Sequence, residues 1–402
     1  GRAVMKGWMP GVGDFAFSLF SNKASPHSTK VSFYSAQERY GDRDDGEAVL
    51  RRALGGGGGT LAEHHEEGAN VAIIQISLPL PLEVDFVFSS FKDSEIPATA
   101  DANRIIQAAA DFHADDALEK VINERRDAFS AKFDGIFGLK DAKCERRNKG
   151  NACWDGRITE VGQRVAKAAL SEVLGQMSFT YGSWYKGKDP YDDKGVEVGP
   201  TGLFASAGHR TGAPSLFEEG FSLMLLRLWD PSIARELLLS WLSKIQPDGW
   251  IPPTLSLGTS SHKRVTHRHE KLPQSNHLAT PPTILLALES MLEQGAASQS
   301  FLRCVTPHLV SWLNHIRRGQ KGSVKHSYAW QGRERVRCKG GAHSGKMTVT
   351  TNSSGLKDYP RSRGSDFSVD SHVDLMSWVA ASLRVLAKLD HSAREGGEEA
   401  WV

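Results

Sequence analysis

The hydrophobic pattern of this 402-residue chain changes period along its length, and that change is the strongest constraint on its fold. Apolar and polar residues alternate from Ile74 to Leu78 and again from Val84 to Phe88, on either side of a proline-containing turn. Such alternation predicts two antiparallel strands with one buried face. From about residue 100 the apolar residues recur at helical spacing instead. The sequence therefore predicts a β-rich segment followed by a helical one.

Several helices in the second part of the chain have recognisable start signals. Ser215 to Glu218 has the sequence of a capping box, and Asp230-Pro231 supplies an N-cap and a first-turn proline. Further helical patterns cover 102–133, 159–177, about 298–317 and about 371–389, and another begins at Pro281-Pro282. Residues 178–213 are dense in glycine and aromatic residues, so we expect a loop there.

Composition excludes some classes of function. The 49 basic and 47 acidic residues give a net charge of +2, which argues against a dedicated nucleic-acid binder. One feature favours nucleic-acid binding, namely a basic run from Arg317 to Lys339 with Tyr328 and Trp330 inside it. The glycine run 55–59 lacks a following Lys-Ser/Thr, so it is not a P-loop. No signal peptide is visible, and no apolar run approaches the roughly 20 residues that cross a bilayer.

Cysteine and histidine spacing does not predict a metal site. The 4 cysteines include no CxxC pair. Cys144 and Cys153 bracket a basic loop in which a disulfide is geometrically easy, and two unpaired thiols fit the sequence equally well. The histidine-rich stretch 262–270 resembles metal-ligand spacing, but its basic surroundings favour a solvated loop. We therefore expect no metal and no cofactor.

The long connections between helix pairs are rich in Trp, Tyr, Asn, Asp and Arg. Aromatic faces stack on the apolar face of a sugar ring, while carboxylates and amides bind its hydroxyls. Helical hairpins with such loops are typical of an α/α toroid that carries a carbohydrate site. Loops carry function in every fold, so this pattern alone does not identify the activity.

Between residues 203 and 388 the chain carries a series of specific motifs in a fixed order. They are Phe217-Glu218-Glu219-Gly220-Phe221, Arg227 to Ser232, Asp248 to Ile251 followed by Pro281 to Thr283, Ser327 to Arg333, Ser354 to Arg361 and His372 to Trp378. Two of them resemble the family patterns W-D-E-G-F and S-G-L-D-D-Y-P-R. By these motifs the chain resembles processing α-glucosidase I, the mannosyl-oligosaccharide glucosidases of glycoside hydrolase family 63.

The resemblance implies a mainly α fold in three parts. Residues 1–95 would be the C-terminal part of a β-sandwich, 96–158 a helical linker region, and 159–402 the N-terminal portion of an (α/α)6 toroid of the six-hairpin glycosidase type. Too few helical segments are present to close the toroid, so we expect one open side. Unburied apolar helix faces at that edge predict self-association.

The activity that the resemblance implies is inverting hydrolysis of the terminal α-1,2-linked glucose from the N-glycan precursor oligosaccharide, in the endoplasmic reticulum. The implied partner is a glucosylated N-glycan or another α-glucoside, and not a nucleic acid. Inversion requires two carboxyl groups far enough apart to admit a water molecule between the base and the sugar. The alternatives are a non-catalytic glycan-binding relative and a chain without independent function.

The chain departs from the family at the catalytic positions. Lys357 stands where the family has its general acid, and a lysine ammonium, with a pKa of about 10.4, is a poor proton donor that repels a cationic transition state. Asp358 is the remaining catalytic candidate, although neighbouring side chains of an extended loop point to opposite sides. No segment like the family's G-F-L-W-E base segment follows Trp378, so the base is unassigned. We expect this chain alone to be inactive or nearly so.

The resemblance also implies substrate contacts for a set of residues in these motifs. They are Phe217, Glu218, Glu219, Trp330, Arg333, Tyr359 and Arg361. Structural alternatives stay open for some of them, because Glu218 could serve as a helix cap, and Trp330 and Arg333 could pack the loop. Asp374 is expected to be a hydrogen-bonded structural carboxylate.

Overall fold

The structure is a computed structural model in which most of the chain can be described. The described residues are 2–9, 13–21, 30–37, 46–55, 59–77, 84–91, 117–143, 153–154, 156–187, 195–206, 213–258, 274–331, 334–337, 347–350 and 371–395. The chain is mainly helical and divides into two compact units, Gly1–Gly135 and Ile136–Val402. The division at residues 95 and 158 stays a prediction.

The first unit contains small antiparallel sheets. Strands β1 (Arg2–Met9), β2 (Gly13–Ser21) and β5 (Val84–Phe91) form one sheet in the order β1-β2-β5, and β3 (Lys30–Ala36) pairs with β4 (Val71–Ser77). Helix α1 (Gly46–Ala53) lies between β3 and β4 in sequence. Both predicted strands, β4 and β5, exist. They are not partners of each other, however, because each pairs with an earlier strand.

The aromatic side of β5 is not buried in the way that the alternation predicted. Phe86 and Phe88 are 60% and 54% exposed. Their rings contact Phe17 and Phe15 of β2, with centroid distances of 6.1 and 5.8 Å. Ala16, which points to the opposite face of β2, is fully buried. Burial therefore extends to the side of β2 that carries Ala16 and Ser18, while on the aromatic side Leu19 is buried and the two phenylalanines of β5 are not.

Helix α2 (Ala117–Phe137) ends the first unit and contains the boundary between the units. In chain order, the described elements of the second unit are β6 (Cys153–Trp154), β7 (Arg157–Ile158), α3 (Glu160–Gly175), β8 (Ser178–Lys186), β9 (Val196–Ala205), α4 (Leu216–Trp229), α5 (Pro231–Leu242), α6 (Ile284–Glu293), α7 (Gln299–Gly319), β10 (Glu334–Arg337), β11 (Met347–Thr350) and α8 (Val373–Glu395). The loop predicted for 178–213 is wrong, because β8 and β9 form an antiparallel hairpin there. Alternating aromatic residues of β8, such as Phe179 and Tyr181, suit a strand better than a loop.

One of the two helix start signals is confirmed, because the Asp230 carboxylate accepts a hydrogen bond from Ser232 N (2.9 Å). The structure adds a cap that was not predicted at Thr159, whose hydroxyl accepts a hydrogen bond from Gly162 N (3.1 Å). The capping box at Ser215 is wrong, because that side chain makes no capping hydrogen bond. Leu216 N donates instead to the carbonyl of Pro253 (2.9 Å), so a neighbouring loop takes the place of the cap.

The helices of the second unit pack in two rows around one core. Helices α4, α6 and α8 contact each other in succession, α5 contacts α7, and the rows meet where α4 packs on α5 and α7 packs on α8. Strand β9 covers α5. The core includes fully buried Leu216, Leu237, Trp241, Ile284 and Leu288. This is the packing expected of helical hairpins whose members alternate between two layers.

Connection lengths differ at the two ends of these helices. Asp230 alone joins α4 to α5, and residues 294–298 join α6 to α7. At the opposite end, 243–283 join α5 to α6 and 320–372 join α7 to α8. Because successive helices run in opposite directions, all the long connections gather at one end of the helix rows.

Candidate active site

The long connections form one surface, which we call the loop face. It comprises the described residues 215–219, 246–258, 274–283, 320–331 and 371–374. Hydrogen bonds join its parts: Gln320 Nε2 donates to the carbonyl of His277 (3.0 Å), and His372 N donates to the carbonyl of Tyr328 (2.8 Å). Four of the motifs that carry the family resemblance have residues in this surface, so the fold brings distant parts of the sequence together.

Glu219 is a fully buried carboxylate beneath the loop face. Ser206, just beyond the end of β9, donates its backbone N–H to both carboxylate oxygens at 3.0 Å and its hydroxyl to one of them at 2.7 Å. A buried carboxylate needs such donors, because burying an unpaired charge is strongly unfavourable. Glu219 therefore ties α4 to β9, and a sugar contact for it stays a prediction.

The neighbouring residues of the same motif face outward. Glu218 is exposed and Phe217 is half-buried, with its ring edge-on to Phe221 at 5.3 Å between centroids. Thr283 holds this turn in place, because its hydroxyl donates to the carbonyl of Phe217 (2.8 Å). A side chain at Gly220 would collide with Thr283, so the glycine permits this close approach. Phe217 and Glu218 are thus positioned on a fixed helix end with access to solvent.

Trp330 is completely buried, in contrast to an exposed platform for a sugar. Its backbone N–H donates to His372 Nδ1 (2.9 Å), and its indole N–H donates to the carboxylate of Asp374 (2.9 Å). The expected structural role of Asp374 is confirmed by this bond. Of the two interpretations left open for Trp330, the structure favours packing, and a direct ligand contact stays a prediction.

Asp248 connects two parts of the loop face to helix α7, although sequence reasoning did not single it out. Its carboxylate accepts hydrogen bonds from Asn276 (2.8 Å) and from Trp250 N (3.1 Å), and its carbonyl bonds the ring of His315 (3.1 Å). Burial raises the pKa of Asp248, but these hydrogen bonds and the nearby Lys186 and His315 lower it by more, so the net shift is downward. Asp248 therefore remains ionised over the neutral pH range.

An aromatic pair lies beside this carboxylate. The rings of Trp184 and Trp250 are 6.2 Å apart between centroids, and Lys186 Nζ lies 5.3 Å from the Trp250 ring centre. The indole N–H of Trp250 donates to the carbonyl of Leu278 (2.7 Å). The only sequence signal for this group was the motif Asp248 to Ile251. Because residues 178–213 were predicted to be a loop, the sequence could not place Trp184 and Lys186, the two residues that β8 contributes, next to Trp250.

The remaining predicted site residues lie outside the described residues. They are Arg333, Lys357, Asp358, Tyr359 and Arg361. Cys144 and the histidine-rich stretch 262–270 also lie outside them, so the disulfide and the solvated loop stay predictions. Across the described ranges there is no group of three or more His, Cys, Asp or Glu side chains placed to hold a metal ion. Within the same ranges, every helix is too short or too polar to span a membrane.

Comparison with known proteins gives consistent results. The family model described as Glycosyl hydrolase family 63 C-terminal domain matches residues 113–400. The chain is 28% identical to mannosyl-oligosaccharide glucosidase GCS1 of Arabidopsis thaliana, over 79% of this chain and 36% of that protein. It is 26% identical to alpha-glucosidase 2 of the same plant, over 79% of this chain and 39% of that protein.

A yeast relative extends the comparison. The mannosyl-oligosaccharide glucosidase of Saccharomyces cerevisiae is 24% identical over 58% of this chain and 34% of that protein. The chain therefore spans between 34% and 39% of the length of these three relatives. Because the family model covers well over half of the chain, and its motifs meet at one loop face, this chain belongs to glycosyl hydrolase family 63.

Proposed function

We propose that this chain is part of a mannosyl-oligosaccharide glucosidase, which removes the terminal α-1,2-linked glucose from the N-glycan precursor oligosaccharide. The observation that carries the proposal is the family match over 113–400, together with relatives that are named for this activity. The loop face supports it, because it presents Glu218 and the ring of Phe217 on a rigid helix end. The endoplasmic reticulum is the proposed location, on the strength of the family resemblance.

The proposed chemistry is inverting hydrolysis by two carboxyl groups, one protonating the leaving oxygen and one activating water. Lys357 occupies the position of the acid, and Asp358 is the carboxyl beside it in sequence. The substrate contacts we propose are Phe217, Glu218 and Glu219 on α4, Trp330 on the loop after α7, and Arg333, Tyr359 and Arg361. Because lysine cannot replace the acid, we propose that hydrolysis by this chain is strongly impaired.

Lys357 provides the sharpest test of this proposal. We expect little glucose release by the parent chain from a glucosylated N-glycan or an α-1,2-linked glucobioside, and a measurable increase in the Lys357→Asp variant, because a carboxylic acid is restored. The matched control is Lys143→Asp, which makes the same charge change at an exposed residue outside the loop face and should have no effect. Turnover by the parent chain comparable with that of a full-length relative would contradict the impairment.

The second candidate function is glycan binding without hydrolysis, and Lys357 is the observation that favours it. Loss of the acid leaves the aromatic and polar side chains of the loop face in place. Saturable binding of glucosylated glycan that is lost in Phe217→Ala, without glucose release by parent or Lys357→Asp chains, would support this candidate. Phe217 is a better probe than Trp330, because replacing a fully buried tryptophan would also perturb the fold.

The overall architecture we propose for the second unit is a partial (α/α)6 toroid. The two helix rows and the gathering of long connections at one end support it. Helix α4 leaves Phe221 and Leu225 exposed, and α8 leaves Met376 and Leu383 exposed, so the row α4-α6-α8 has apolar faces at both ends. We propose that these faces let copies of the chain associate.

A further inference from the structure

A concave cavity lies at the end of α7, at the edge of the loop face, and none of the proposed substrate contacts is among the described residues that line it. Its volume is about 580 Å³, and it is lined by the last turns of α7 and by the loop 321–328 that follows. The cavity is large enough for a small molecule, since ligand sites usually fall between about 300 and 1,000 Å³. The basic run seen in the sequence passes through this cavity.

The charges around the cavity have one sign. Arg317, Arg318, Lys321 and Lys325 line it beside His326, and the described residues of its lining include no aspartate or glutamate. In the described part of the chain, none of these side chains forms an ion pair. On α8, by contrast, Lys388 and Arg384 bind Glu289 of α6 at 2.8 and 3.1 Å. The cavity therefore concentrates uncompensated positive charge, which attracts anions.

The loop that carries half of these charges is held by its own hydrogen bonds. Gly322 N donates to the carbonyl of Ser327 (2.9 Å), and Ser327 N donates to the carbonyl of Val324 (2.9 Å). The buried Ser327 hydroxyl donates to the same Val324 carbonyl (2.8 Å). His326 adopts a left-handed backbone with φ of 64°, which closes the turn. A fixed loop pays less conformational entropy when it binds a ligand.

Helix electrostatics explain only part of this arrangement. Basic residues such as Arg317 and Arg318 in the last turn of α7 complement the partial negative charge of the helix end. Lys321 and Lys325 lie beyond the helix and are not needed for that. The helix end contributes about half of one negative charge. The two arginines and two lysines together carry several times as much positive charge.

We propose that this cavity binds a compact polyanion that carries two or more phosphate groups. Arginine presents a planar fork of donors that suits phosphate oxygens, and lysine supplies mobile point charges, so the combination fits clustered phosphates. A nucleic acid fits less well, because single-strand binding uses an extended groove with several stacking aromatics. Tyr328 is the one aromatic residue among those that line this cavity.

The test measures binding of inorganic tripolyphosphate by calorimetry at low salt. The parent chain is compared with a cavity double variant, Lys321→Gln with Lys325→Gln, and with a control double variant, Lys143→Gln with Arg164→Gln. The control residues are exposed, lie outside the cavity and give the same loss of charge. We expect the cavity variant to bind about tenfold more weakly and the control to bind as the parent does. Equal weakening in both variants, or no binding by the parent chain, would overturn the proposal.

A second arm separates free from lipid-borne phosphates. Phosphatidylcholine vesicles with and without phosphatidylinositol bisphosphate are tested for co-sedimentation with the parent and with both double variants. Capture by the phosphorylated vesicles alone, lost in the cavity variant, would assign the site to a lipid headgroup. Tripolyphosphate binding without vesicle capture would assign it to a soluble polyanion.

A third arm tests the competing nucleic-acid interpretation. An oligoribonucleotide that binds the parent more tightly than tripolyphosphate, and loses affinity in the cavity variant, would replace the proposal with a nucleic-acid site. All three arms measure binding without glucose release. Failure here would therefore leave the proposed glucosidase function untouched, and failure of that function would leave the cavity result standing.

Discussion

Two adjacent glutamates of one motif have opposite environments, although the sequence presents them as equivalent. Glu219 is fully buried with Ser206 as donor, whereas Glu218 is exposed at the start of α4. We predict that Glu219→Ala lowers the free energy of unfolding by about 2–3 kcal/mol, because it leaves buried donors of Ser206 unpaired. Glu218→Ala, one residue away, should change it by less than about 0.5 kcal/mol.

Urea unfolding followed by tryptophan fluorescence measures both variants, since Trp8 is the only tryptophan before residue 136 and the signal reports the second unit. Similar unfolding midpoints for the two variants would show that the Ser206 bonds are not a significant source of stability. The same pair, tested for glycan binding, separates the roles further. Loss of binding in Glu218→Ala with unchanged stability would assign the exposed carboxylate to the substrate.

The sequence predicted which residues belong to the candidate site, but not whether their side chains are buried or exposed. The motifs located Glu219, Trp330 and Asp374, but a motif does not show which side chain is buried. Trp330 could have been a sugar platform or a core residue, and its position under the loop face depends on His372 and Asp374, more than forty residues later. Partners that are distant in sequence determine whether such a side chain is buried. The hydrophobic periodicity of the sequence does not reveal which distant residues become partners.

At the scale of elements, a charge network joins α6 to α8. Lys388 Nζ lies 2.8 Å from the Glu289 carboxylate and 2.6 Å from that of Glu293, and Arg384 also binds Glu289. Hydrogen bonds from Lys388 and then Arg384 hold the pKa of Glu289 below its ordinary value of 4.5. The hydrogen bond to Glu289 likewise raises the pKa of Lys388. The ionised forms of both partners are therefore favoured by folding.

This network predicts a pH dependence of stability in the acid range. A lowered carboxyl pKa contributes stability that is complete above the unfolded value and is lost as pH falls through the folded value. Between about pH 5 and pH 3, the parent should therefore lose more stability than Glu289→Gln, whose side chain does not titrate. Thermal melts across this pH range give the slope of stability against pH for each variant. Glu236→Gln, on the exposed side of α5, is the control and should keep the parent slope; equal slopes for parent and Glu289→Gln would contradict the prediction.

Helices were predicted more accurately than strands, and local chemistry explains the difference. The cap at Asp230 acts within three residues, so its signal can be read directly from the sequence. Pairing of β4 with β3 and of β5 with β2 depends on residues far apart in sequence. The β8–β9 hairpin was missed because its glycines and aromatics resembled a loop, although its strands alternate. Ser215 failed as a cap because a distant carbonyl, that of Pro253, was already available.

On the scale of the whole molecule, a small net charge conceals an uneven distribution. The chain carries +2 overall, yet four basic side chains gather at the cavity at the end of α7, without an ion pair to any described residue. The loop face, by contrast, pairs Glu219, Asp248 and Asp374 with internal donors. Composition alone argues against a general nucleic-acid surface, but it could not reveal a local site. Residues 321–328 of the loop face therefore differ in charge from the rest of that face.

The exposed apolar faces of the helix row lead to the last prediction. Met376 and Leu383 of α8 are 39% and 43% exposed and lie on one side of the helix, and α4 exposes Phe221 and Leu225 at the other end of the row. Apposing the α8 face of one copy with the α4 face of another would remove this surface from water. We therefore expect concentration-dependent association of the chain, which sedimentation velocity over a range of concentrations would detect.

Charged substitutions locate the contact. Met376→Lys with Leu383→Lys should shift the chain toward monomer, because two charges would have to be buried at the interface. Val161→Lys with Val165→Lys, on the exposed side of α3, changes apolar residues that are at least as exposed, on a helix that forms neither face, and should leave association unchanged. A chain that stays monomeric at every concentration would contradict association itself. Equal effects of the two double variants would place the contact elsewhere, because association would then respond to added charge and not to the α8 face.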